Sequence, residues 1–147
     1  MISRSFLNFN KEILFGEIGT LIGIQIVDVI SFAFKVKVRL IPYLTVLGAI
    51  VFGSLFWLFT RVYDKSKEGR YTIKKLLQDM EYFTPASAIL TFLIYYPTLF
   101  FGTKYFLRHN RRLEFSTITS QLIAFLLFIT AINVYRYVLL KVTKKKL

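Results

Sequence analysis

Two carboxylates and an amide interrupt an otherwise apolar run. Glu17, Gln25 and Asp28 lie within "FGEIGTLIGIQIVDVISFAF", residues 15–34. In apolar surroundings a carboxylate can carry a proton, accept hydrogen bonds from a polar ligand, or neutralise a buried cation. With Glu17 at zero and ~100° per residue, a helix places Asp28 at about 20°, Ser31 at about −40° and Thr20 at about −60°. Gln25 falls at about 80°, on the margin of this stripe. Gly16, Gly19 and Gly23 gather at about 200–260°. Gly19 and Gly23 form a GxxxG pair, which lets another helix approach closely.

A second set lies at the ends of other apolar runs. Arg61 follows "FGSLFWLFT", while Asn133 and Arg136 fall within "FITAINVYRYVLLKV". An arginine near a headgroup plane offers a forked donor that matches phosphate. Two readings stand side by side. In one, Glu17 pairs with Arg61 or Arg136 and locks helix packing, since buried polar pairs serve membrane bundles as glue. In the other, Glu17, Gln25, Asp28 and Asn133 line a polar path, Arg61 and Arg136 hold a phosphate, and Trp57, Tyr95 and Tyr96 stack on sugar rings.

Little else in the chain suggests chemistry. It has no cysteine, so thiol catalysis and thiolate metal sites are excluded, and His109 is its single histidine. No nucleophile elbow, phosphate-binding glycine loop or metal-ligand spacing occurs. The expectation is a protein that is not an enzyme and has no catalytic residue, metal or cofactor.

The elements that would position these residues follow from composition. Of the 147 residues, 55% are hydrophobic and 18% aromatic, with a mean hydropathy of +0.54. A soluble domain of this size cannot bury so much apolar surface, whereas a bilayer can. Four apolar stretches, 13–34, 40–60, 85–106 and 116–140, each reach the ~20 residues that cross ~30 Å of hydrocarbon. Without water, backbone groups must be satisfied within each segment, so the stretches are helices. The fold expected is an all-α membrane protein, one polytopic domain over 1–147, with four transmembrane helices. The first run lacks a small-residue cleavage pattern and is read as retained. Pro97 predicts a kink in the third span. Between spans two and three, Ile73, Leu76, Leu77, Met80 and Phe83 recur at helical spacing among charged residues. This predicts an amphipathic interfacial helix, lying on the membrane or packed on the bundle.

The net charge is +12, but the basic residues mostly flank apolar runs rather than forming a stripe with stacking aromatics. Nucleic acid is therefore not an expected partner; membrane lipid is. Thirteen lysines and arginines lie near the termini and in the middle link, and seven in the other two links. The bias predicts an integral cell-membrane protein with both termini in the cytoplasm.

"FGEIGTLIG" (15–23), "FGSLFWLFTRVYD" (52–64) and "FITAINVYRYVLLKV" (128–142) resemble helix segments of the GtrA-like family. The layout of two helical hairpins, a basic middle link and a basic tail is also similar. The resemblance implies four membrane helices and the movement of polyprenyl-phosphate-linked sugars for cell-surface glycan synthesis. Alternatively, the bundle is a non-catalytic accessory subunit, with Gly16, Gly19 and Gly23 facing a larger membrane-protein partner or a second copy. "GEIGT" (16–20) is also similar to the acidic first helix of small multidrug transporters, which implies proton-coupled export using Glu17.

Overall fold

A computed structural model of the chain describes residues 4–67 and 87–143. Among these residues it is all-helical, with no strand. Helix α1 spans Arg4–Ala33, α2 Ile41–Lys67, α3 Tyr96–Arg108 and α4 Leu113–Thr143. Among the described residues three segments are long and apolar enough to cross a membrane: Asn10–Ala33, Val38–Tyr63 and Leu113–Val138. The interfacial helix expected from Ile73, Leu76, Leu77, Met80 and Phe83 lies outside the described residues. The remaining helices overrun the apolar stretches. α2 continues to Lys67 rather than ending at Thr60, and α1 is already helical at Arg4. Neither extension contains the glycine or proline that would stop it.

The third stretch departs from regular α-helix. The helical path is continuous over 87–108, but Thr91–Tyr95 forms a π turn in which the Tyr96 N–H reaches back to the Thr91 carbonyl. Pro97 explains its place. It has no N–H to offer, and its ring would press on the carbonyl four residues back, at Leu93. A widened turn just before the proline relieves that conflict. Where a kink is expected at Pro97, the structure shows a change in hydrogen-bond register on its N-terminal side. Alone, the 13 residues of α3 are too short to cross a bilayer.

The links at one end are tight. At α1, the Val36 N–H bonds to the Ser31 carbonyl at 3.0 Å, with Lys35 left-handed at φ 48°. At α3, the Arg111 N–H bonds to the Phe106 carbonyl at 3.2 Å, with Asn110 at φ 54°. Both are Schellman closures. Neighbouring helices consequently run antiparallel. α1 packs on α2, α2 on α3, α3 on α4 and α4 on α1, closing a ring.

The interior is built of small and polar side chains. Thr20, Asp28, Ser31, Thr45, Thr103, Ser116, Thr117, Ser120 and Gln121 are buried, while Phe32, Phe34, Phe59 and Leu93 are at least 70% exposed. In water this arrangement would be inside out. In lipid, large apolar groups gain nothing by leaving the hydrocarbon, and small residues let helices meet. Most of the buried hydroxyls are satisfied within their own helix. Thr45 donates to the Ile41 carbonyl at 2.9 Å and Ser120 to the Ser116 carbonyl at 2.6 Å. The apolar core is correspondingly small: Ile24, Ala49, Tyr95, Leu99 and Ala124, with Ile13 and Ile132 packed separately.

The glycine face of α1 lies on α2. A Cβ at Gly19 would stand 2.5 Å from that of Phe56, and one at Gly23 would overlap the Gly48 carbonyl oxygen. Gly16 is looser, 3.4 Å from the Trp57 Cβ. The helix brought close by this stripe is therefore α2 of the same chain.

Candidate functional site

The polar stripe of α1 points into the ring at two levels. At the first, Glu17 accepts hydrogen bonds from Tyr95 Oη, 2.9 Å from Oε2, and from Gln121 Nε2, 2.9 Å from Oε1. One carboxylate thereby ties α1 to the π turn and to α4. Both donors are almost wholly buried. At the second level, eleven residues or ~16 Å along the helix, Thr117 Oγ1 donates to Asp28 Oδ2 at 2.6 Å. Asp28 Oδ1, Ser31 Oγ and Gln25 Nε2 are buried with no hydrogen-bond partner among the described residues. Glu17 and Asp28 share a stripe but not a site.

Arg61 is not the partner of Glu17. Its Nη1 lies 2.8 Å from Glu12 Oε2, and its guanidinium sits 5.6 Å from the Trp57 ring centre. Arg136 does not meet Glu17 either; it is buried one turn beyond Asn133, and both hydrogen bonds of Glu17 go elsewhere. The correction has a simple geometry. Five residues before Glu17, Glu12 falls at about 220° on the helix wheel, in line with the glycines and hence facing α2. Glu17 faces the opposite way, towards α4 and the π turn. Asn133 Nδ2 donates to Asn10 Oδ1 at 3.0 Å, which closes α1 against α4 near the same end.

A cavity of about 300 Å³ opens beside Glu17, where α1, α2 and the π turn diverge. Its polar lining includes Glu17, Thr20, Ser54 and Thr91, and its aromatic lining includes Trp57, Tyr95 and Tyr96. Gly53 borders it on the α2 side, where α1 packs so closely that a Cβ would strike Thr20 Oγ1. The three aromatics singled out in the sequence and one of its acids thus meet around one space. Gln25, Asp28, Asn133, Arg61 and Arg136 do not line it; Arg61 borders it only through Trp57.

Sequence reasoning passed over Glu12, Asn10, Thr117 and Gln121, and read Tyr95 only as a stacking ring. A signal was present for α4. In "STITSQ" (116–121) the residues Ser116, Thr117, Ser120 and Gln121 recur at i, i+1, i+4 and i+5, a polar face within an apolar run. No comparable signal marks Tyr95, whose orientation depends on the π turn. The arrangement offers an acceptor, hydroxyls and aromatic faces in a confined, largely apolar space, which suits the polar part of an amphiphile. Comparison with known proteins finds no family model, no curated protein and no solved structure that matches this chain.

Proposed function

We propose that the chain is a four-span membrane protein, with both termini cytoplasmic, that binds and translocates a lipid-linked sugar. The observation that carries this reading is the cavity beside Glu17. Sugars are recognised by stacking on aromatic faces and by hydrogen bonds to their hydroxyls, and Trp57, Tyr95, Tyr96, Glu17, Thr20 and Ser54 offer both within one space. In the four-span arrangement the third span is the continuous helical path 87–108. The cavity is walled by α2 and this path, two elements whose outer faces carry large exposed apolar residues, so an amphiphile dissolved in the membrane has a sideways approach. The resemblance to GtrA-like proteins points the same way. Arg61 beside Trp57 would then take the phosphate, in competition with Glu12.

A second reading is favoured by one detail. A carboxylate among aromatic rings is also a receptor for a lipophilic organic cation, as in small multidrug transporters. A subunit role, by contrast, would need a contact face other than Gly16, Gly19 and Gly23, which α2 covers. Proteoliposomes separate the first two. With a fluorescent prenyl-phosphate sugar in one leaflet, the carrier reading expects protein-dependent transfer to the other leaflet, slowed at least tenfold in Glu17→Gln. Transfer of a lipophilic cation driven by a proton gradient, with no movement of the sugar lipid, would replace it by the second reading.

A further inference from the structure

At the end of the bundle away from Glu12 and Arg61, a crevice of about 770 Å³ lies between the link that precedes α2 and the last turns of α3. Three cations line it: Arg39, Lys104 and Arg108. None has a carboxylate partner among the described residues, and neither acid at this end, Asp28 or Glu114, borders the crevice. Lys104 is half-buried, with its ammonium 5.8 Å from the Phe100 ring centre. The walls below the charges are apolar and aromatic, with Tyr43 edge-on to Phe100 at 4.8 Å. Three unneutralised cations brought together at such a place call for an anion.

We propose that this crevice is a binding site for an anionic phospholipid, with the phosphate held by Arg39, Lys104 and Arg108 and an acyl chain running along Tyr43 and Phe100. Position and charge argue for a lipid. α2 begins and α3 ends here, at the level where a span leaves the hydrocarbon and where lipid phosphates lie. Tyr43 is 62% exposed on the face an acyl chain would follow. Juxtamembrane lysines and arginines attract anionic headgroups by about 1 kcal/mol each, or roughly fivefold in affinity. Arginine adds forked donation to phosphate oxygens. The site shares no residue with the cavity beside Glu17 and does not depend on what that cavity takes.

Native mass spectrometry of the purified full chain tests it, with phosphatidylglycerol and phosphatidylcholine as probes. The expected result is preferential retention of phosphatidylglycerol. Arg39→Gln, Lys104→Gln and Arg108→Gln should each reduce the preference about fivefold. The exposed Arg108 also supplies a variant with little risk to folding, Arg108→Glu, which should reduce it further. The combined change Lys35→Gln, Lys37→Gln and Arg112→Gln removes three charges outside the crevice, as many as line it, and should leave the preference intact. Equal retention of the two lipids, or equal loss in the control variant, would overturn the proposal. So would displacement of the lipid by inorganic phosphate alone, because the apolar walls would then contribute nothing.

Discussion

Tyr95 Oη donates to Glu17 Oε2 at 2.9 Å across 78 residues of chain. The bond joins the acid of α1 to the turn that Pro97 widens, and both residues line the cavity. Removing either group should loosen the π turn from α1. In a double-mutant cycle of Glu17→Gln and Tyr95→Phe, the coupling in detergent stability should be about 1 kcal/mol, the scale of hydrogen bonds between membrane helices. Strict additivity would mean that the two do not act together.

The acid that matters to Arg61 is Glu12. Arg61→Ala should destabilise by about 3 kcal/mol, because it leaves a poorly solvated carboxylate behind. The exchange Glu12→Arg with Arg61→Glu should recover part of the loss. Glu17→Gln combined with Arg61→Ala should be additive. Thermal unfolding in detergent measures all three, and recovery by the Glu17 change instead would show the pairing to be misplaced.

The glycines of α1 are not equivalent. A methyl at Gly23 meets the Gly48 carbonyl oxygen and one at Gly19 meets Phe56, whereas one at Gly16 is at ordinary distance from Trp57. Gly23→Ala and Gly19→Ala should each lower the unfolding temperature because α1 and α2 must separate. Gly16→Ala should be close to neutral. An equal effect at all three positions would contradict the packing described.

Lys35 occupies the left-handed position of a Schellman closure at φ 48°, where a side chain costs ~1 kcal/mol that glycine does not. Lys35→Gly should therefore stabilise by up to about 1 kcal/mol in chemical denaturation. Asn110, in the same role at φ 54°, should gain less from replacement, since asparagine already tolerates this conformation.

The membrane-spanning character and the stripes of α1 were legible because they depend only on hydropathy and a ~100° turn per residue. Thr20, Asp28 and Ser31 are buried where the wheel put them, and the glycines pack on a neighbouring helix. Partner choice was not legible. Pairing Glu17 with Arg61 or Arg136 rested on residue type and on their place near the ends of apolar runs, which does not say which neighbour a helix face meets. That follows from the order of helices in the ring, which puts α2 against the glycines and α4 against the acids. The π turn was foreshadowed only as a disturbance at Pro97. Its consequence, a tyrosine hydroxyl aimed at Glu17, depends on hydrogen-bond register, to which hydropathy is blind.

Trp57 is the chain's single tryptophan and lines the cavity beside Glu17, with the Arg61 guanidinium 5.6 Å from its ring centre, so its fluorescence reports on a ligand that enters this space. Titrating the purified protein with a short-chain prenyl-phosphate glucose is the most direct test of the central claim. The account predicts a saturable change in Trp57 emission. Its midpoint should rise at least tenfold in Glu17→Gln and also when the ligand is prenyl phosphate without the sugar. An emission that stays unchanged on adding the sugar lipid, or responds equally to prenyl phosphate alone, would contradict it.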